Sequence, residues 1–215
     1  VVWNHNYGYM NLEDSIPVTD STLFNVFSIG KCVTTACVMQ LWDDQLLELD
    51  QNINDFIPFQ MTNPWNGATN FTARHLMTHT STINEGYFNA YVVEGDPTIP
   101  LEDFLEGYLT VGGAYYSNAN YYSAMPGTQF HYDNYGMAMT GFLVEPLTGM
   151  LFHEYAGDNM LTPLEMDASA WFLAQLNMAD LQLQVRKAEA ALSVSKAQLD
   201  QLKAGPRKEE IAAAQ

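Results

Sequence analysis

The sequence predicts an α/β (α+β) fold that is mostly helical, with few strands and a coiled-coil-type helix at its C-terminal end. Three observations lead there. Apolar residues recur at helical spacing in several separate stretches, whereas only one stretch alternates with the period of a strand. Hydrophobic residues fill 47% of the 215 positions and charged residues 15%, a balance that excludes a wholly disordered chain and fits an aromatic-rich interior. Composition also changes near residue 180. Only Lys31 and Arg74 are basic in residues 1–180, the other six basic residues fall in 181–215, and no aromatic ring follows Phe172.

Taken in order, Trp3, His5, Tyr7 and Tyr9 alternate with Asn4, Asn6 and Gly8, predicting a first strand with one aromatic face. Ile29, Val33, Ala36, Cys37 and Leu41 predict a helix over 28–43 that buries a broad face. Cys32 and Cys37 sit about 140° apart around that helix, which argues against a mutual disulfide and for two core thiols. Thr72 caps a short helix through Thr78, and Leu101, Phe104, Leu105, Tyr108 and Leu109 form a stripe behind Pro100. After the turn-rich stretch 126–134 comes a helix over 135–148, interrupted or kinked at Pro146, and another near 151–160.

The tail differs in kind. Met178, Leu181, Val185, Ala188, Leu192, Ser195, Leu199 and Leu202 fall at alternating steps of three and four, the seam of a coiled coil. One helix cannot bury such a seam, so a partner helix is expected for residues 181–215. Gly205-Pro206 stops that helix and starts another. The sequence thus divides into a globular domain over 1–180 and a helical coiled-coil-like segment over 181–215, joined as two unrelated pieces. Val1-Val2-Trp3 carries neither an initiator Met nor the features of a signal peptide, and the chain reads as a fragment.

Charge narrows the partners. The formal net charge is −17, concentrated in residues 1–180, and it repels phosphate backbones and anionic headgroups. Nucleic acid is excluded as a partner. No apolar run reaches the roughly 18–20 residues needed to span a bilayer, the longest, Gly136 to Phe152, being broken by Glu145 and Pro146. Asn70-Phe71-Thr72 matches a glycosylation acceptor, a pattern too short to weigh.

Two patterns carry chemistry. In Ser28-Ile29-Gly30-Lys31 a hydroxyl opens an apolar helix and an amine follows one turn along the same face. Serine needs a nearby base to become a nucleophile, and a half-desolvated lysine near a helix N-terminus can take the proton. The same spacing recurs at Ser193 and Lys196, inside the heptad helix with nothing concave nearby, so context selects Ser28. Tyr132 and Asn134 project from a loop between the Pro126-Gly127 turn and a helix, where a phenol can relay protons and an amide can orient a carbonyl. A rival chemistry places zinc on His75 and His79, four apart on a short helix. Leu76 stands where a metalloprotease has glutamate, and no third ligand declares itself among Glu85, His131 and Asp133. The alternative is that both imidazoles hydrogen-bond the loop Thr78 to Thr82.

Taken together, Leu23 to Leu49, Thr72 to Ile83, Pro126 to Gly141 and Thr162 to Trp171 resemble the serine β-lactamase-related family, in its class C-like branch with penicillin-binding carboxypeptidases and esterases. Ser28-x-x-Lys31 resembles the first motif, Tyr132-x-Asn134 the second, and Arg74 to Ser81 a family helix end. The resemblance implies a partial β-lactamase/transpeptidase-like domain with an incomplete antiparallel sheet, and an acyl-enzyme mechanism. Ser28 would attack a β-lactam, D-amino-acid peptide or ester carbonyl, Lys31 and Tyr132 would move protons, and Asn134 would help hold the substrate. No cofactor or metal is implied, the partner is a small molecule or peptide with a reactive carbonyl, and the location is extracytoplasmic. Thr82 stands where the family has glycine. The family's third motif, on a late strand that supplies one oxyanion donor, has no match here, nor do its N-terminal helix and first strand, so the chain is expected to be inactive or nearly so. Residues 198–215 resemble the α-helical hairpin of periplasmic adaptor (membrane fusion) proteins, which gives a different reading: a non-catalytic adaptor or scaffold.

Overall fold

The computed structural model describes residues 4–85, 96–172 and 196. The heptad tail, the Ser193 pattern and Trp3 lie outside the described residues, apart from Lys196, which is helical and exposed.

The sheet is a two-stranded antiparallel hairpin of β1 (Tyr9–Asn11) and β2 (Ile16–Pro17), with Tyr9 opposite Pro17 and Asn11 opposite Ile16 across a register shift. It starts where the expected strand was to end, and residues 4–8 are not strand. The period-two pattern there serves a carboxylate instead. The Asn4 and Asn6 amides both donate to Asp20 Oδ1, at 2.8 and 2.5 Å, and Gly8 turns the chain at φ +72°. The rings of Tyr7 and Tyr9 face solvent.

Helix α1 (Gly30–Asp43) follows a 3₁₀ turn over Phe27–Ile29. It buries Thr34, Cys37, Val38 and Leu41, so the inward stripe is rotated from the expected one: Ile29 is exposed and Val33 and Ala36 are half-buried. Cys37 is a core thiol, and burial pushes it up to about 11. Cys32 is exposed, because the turn that separates two cysteines five apart also keeps them from facing one core. In α2 (Ala73–Met77) the Thr72 hydroxyl accepts the His75 N–H at 3.1 Å, the expected cap. Helix α3 (Leu101–Leu109) follows Pro100 and buries Phe104, Leu105, Tyr108 and Leu109.

The helix expected over 135–148 is two, α4 (Tyr135–Phe142) and α5 (Val144–Thr148), with the break at Leu143 rather than at Pro146. Proline disrupts the ladder one turn back: Pro146 has no N–H for the Phe142 carbonyl, and its ring crowds that oxygen. A left-handed Gly149, φ +73°, ends α5. Then come α6 (Phe152–Ala156) and a π turn over Gly157–Leu161. No helix among the described residues is long and apolar enough to cross a membrane.

Helix α4 is the hub. It packs against α1, α2 and α3, and its residues are buried except for half-buried Ala138. Phe142 stacks on Phe59 with ring centroids 5.8 Å apart, and Tyr135 meets Phe104 and Tyr108 edge-on at 5.1 and 4.8 Å. Because α4 is seated on both α1 and α2, the loop entering α4 comes beside the start of α1 and the end of α2.

Candidate active site

Ser28 sits in the 3₁₀ turn ahead of α1, and Lys31 in the first turn of the helix. Phe27, just before the serine, has φ +45°, and its N–H donates to Asn25 Oδ1 at 2.9 Å. Left-handed backbone is a genuine outlier for so bulky a residue. Lys31 Nζ donates to Ser28 Oγ at 3.2 Å, and Ser28 Oγ lies 2.7 Å from the Tyr132 hydroxyl, which comes from 104 residues away. The ammonium also lies 5.0 Å from the centroid of the Tyr132 ring. Hydrogen bonding to Lys31, and then to Ser28, draws the Tyr132 phenol below its ordinary value. The cluster opens to solvent: Ser28 and Tyr132 are exposed, and Lys31 is half-buried.

Asn134 is half-buried two residues along the same loop. Its N–H donates to Glu85 Oε1 at 2.5 Å, and its carbonyl accepts the Ala138 N–H at 2.8 Å in the first turn of α4. Between Tyr132 and Asn134 lies Asp133, only 1% exposed. Its Oδ1 accepts the Gly136 N–H, and its Oδ2 is buried with no hydrogen-bond partner. Burial pushes this carboxyl up to about 7; the Gly136 N–H opposes the rise, Glu85 adds to it and Lys31 subtracts. A Cβ at position 136 would stand 2.6 Å from Asp133 Oδ1, inside van der Waals contact, so any other residue there displaces the carboxyl. The sequence reading weighed Glu85 and Asp133 only as metal ligands. The available signal was a carboxylate inside Tyr132-Asp133-Asn134 with glycine three residues on.

The zinc pair is not supported by the geometry. Helix α2 ends at Met77, and His79 lies beyond it at φ +55°, so the premise of two imidazoles on one helical face fails. His75 is turned toward Gly127, where an added Cβ would meet its Nε2 at 2.8 Å, whereas His79 Nδ1 faces the Asp133 backbone. No group of three or more His, Cys, Asp or Glu side chains arranged to hold a metal occurs among the described residues. The alternative, imidazoles bonded to the loop Thr78 to Thr82, is not what the rings do either: His75 Nδ1 is buried with no hydrogen-bond partner and His79 Nδ1 accepts from the Asp133 N–H, while the backbone carbonyls of the two residues take the N–H groups of Thr80 and His131, each at 2.8 Å.

The family model described as Beta-lactamase matches residues 1–207. The chain is 28% identical over 169 residues to a D-aminopeptidase of Gluconobacter oxydans, covering 78% of this chain and 29% of that protein. It is 30% identical over 162 residues to penicillin-binding protein 4 of Amycolatopsis lactamdurans, covering 75% and 39%. Among solved structures, the octameric penicillin-binding protein homologue from Pyrococcus abyssi superposes with a TM-score of 0.61 at 29% identity, covering 79% of this chain and 37% of that one. The chain thus spans less than two fifths of the length of each of these three relatives.

Proposed function

Because the chain belongs to the beta-lactamase family, we propose that it carries the acyl-transfer centre of a serine hydrolase acting on a β-lactam, a D-amino-acid peptide or an ester. The observation that carries this reading is the convergence of the Tyr132 hydroxyl and the Lys31 amine on one serine oxygen, at 2.7 and 3.2 Å. Ser28 Oγ attacks the substrate carbonyl carbon as its proton passes to the phenolate form of Tyr132, which Lys31 stabilises by its positive charge. The Ser28 N–H supplies one oxyanion donor. Collapse of the tetrahedral intermediate expels the leaving group, which takes the proton back from Tyr132. Water then attacks the acyl-serine, Tyr132 again accepting a proton, and Ser28 is regenerated with release of the acid. Asn134, on the same loop, holds the substrate amide or ester.

Turnover by this chain is proposed to be slow. Among the described residues the sheet consists of β1 and β2, with no strand to supply a second oxyanion donor, and the loss of one donor typically costs about 10² to 10³ in rate. An extracytoplasmic location accompanies this reading, and residues 181–215 remain a proposed separate helical segment.

Incubation with a fluorescent penicillin and with an activated phosphonate, followed by mass spectrometry, tests the assignment. The expected result is one adduct on Ser28, absent from Ser28→Ala and formed far more slowly in Lys31→Ala and Tyr132→Phe. An undiminished adduct in Ser28→Ala, or no adduct with either reagent on the folded parent, overturns it; the latter favours a non-catalytic adaptor or scaffold.

A further inference from the structure

His79 lies outside the proposed chemistry, yet successive residues of the tyrosine loop rest on it. The Phe130 ring meets its imidazole edge-on at 5.8 Å between centroids, and the Tyr132 ring lies 4.5 Å away. The His131 N–H donates to the His79 carbonyl at 2.8 Å, and the Asp133 N–H reaches His79 Nδ1 at 3.4 Å. We propose that His79 is the positioning residue for Tyr132, an imidazole seat that fixes the phenol over Ser28. The inference rests on the proposed role of Tyr132 and extends it to a residue that touches neither Ser28 nor substrate.

The residue type suits the task. At φ +55° the backbone is left-handed, a region in which His and Asn are several-fold enriched among non-glycine residues. The side chain must then offer an acceptor toward the Asp133 N–H and a flat ring toward Tyr132, and imidazole offers both. Nδ1 is an acceptor only when it carries no proton, which places the ring proton on Nε2. Burial first, and then the charge of Lys31, hold the His79 imidazole below its ordinary value, which favours the neutral ring. The Asp133 carboxylate does not compete for the ring nitrogen, since its Oδ2 is 3.8 Å away, beyond hydrogen-bonding distance.

Three variants separate the contributions. His79→Gly relaxes the left-handed backbone and removes ring and acceptor, His79→Asn keeps the backbone preference and an amide oxygen near Nδ1, and His79→Phe keeps only a ring. Two measurements are made on each. One is labelling by a fluorescent penicillin, resolved into limiting rate and half-saturation. The other is titration of the Tyr132 ring by NMR with ¹³Cζ-tyrosine, its signal identified by its loss in Tyr132→Phe. The expected result in His79→Gly is a limiting rate lower by on the order of 10- to 100-fold, with half-saturation unchanged and Tyr132 titrating at higher pH. His79→Asn should recover part of both effects.

A folded His79→Gly in which Tyr132 titrates as in the parent overturns the inference, whatever the labelling does. If His79→Gly does not fold, the same criterion applies to the Tyr132 titration of His79→Asn, in which the ring contact alone is lost. If the parent forms no adduct but the titration still moves with the substitution, the acyl-enzyme reading falls and the positioning role stands.

Discussion

Asp133 holds a carboxyl in a place built for a neutral group, and Asp133→Asn measures what its charge costs the fold. The side chain is 1% exposed, its ordinary value of 3.8 is raised to about 7, and burial is the main cause. The difference is about three pH units, and at about 1.4 kcal/mol per unit the ionised carboxylate costs the folded state up to about 4 kcal/mol. The sign follows from proton counting. Between the ordinary value and about 7 the folded protein holds a proton that the unfolded chain has released. This group's contribution is therefore complete at acid pH, declines as pH rises through that window, and is flat above it. Asparagine keeps an oxygen for the Gly136 N–H and carries no charge. Urea unfolding of parent and variant, measured side by side from about pH 4 to about pH 8, should show Asp133→Asn gaining on the parent by a few kcal/mol across the window and ending as the more stable protein. A difference that stays constant with pH, or a parent that is the more stable at the alkaline end, refutes the claim that burial of charge dominates at this position.

Other substitutions test the packing around the site. Gly136→Ala drives a methyl into the Asp133 carboxylate and should lower stability by about 1–3 kcal/mol, read as a shift in urea midpoint, with slower acylation because the loop before α4 is displaced. Thr72→Ala leaves the His75 N–H without its cap and should cost about 1 kcal/mol in the same assay. Leu41→Ala opens a cavity in the fully buried face of α1 and should cost about 2–5 kcal/mol with an unchanged denaturant slope. Arg74→Ala removes a bidentate pair with Asp50 at 2.7 and 2.8 Å, both partners exposed. It should barely move the thermal midpoint or the labelling rate, because solvent already screens that pair.

What the sequence revealed and what it hid divide along physical lines. Caps and apolar stripes are local, so the Thr72 cap and the Leu101 to Leu109 helix were legible from residue types alone. The strand was misplaced because alternation reports only that every second side chain shares a side. At Asn4 and Asn6 what lies on that side is Asp20 rather than a neighbouring strand. The break at Leu143 was shifted because a proline acts one turn behind itself. The meeting of Ser28 with Tyr132 has no local signature, since it depends on the packing of α4 against α1, and only the family resemblance anticipated it. Thr82 was legible as a departure from a family glycine, and the structure supplies the reason for the glycine: φ there is +72°. The part played by His79 could not be read, because nothing in the sequence marks the left-handed turn that swings it off α2 and under the tyrosine loop.

Phe27 gives the proposed nucleophile a strained tether. A left-handed aromatic holds on the order of 1–3 kcal/mol of torsional strain, and it holds it in the peptide unit that delivers Ser28 into its turn. The Ser28 hydroxyl therefore hangs from a wound joint, 2.7 Å from the phenol. A glycine in that joint would ease the winding and strengthen the fold while letting the oxygen drift, so that durability and reactivity in this chain should trade against each other at a residue that takes part in no bond-making step.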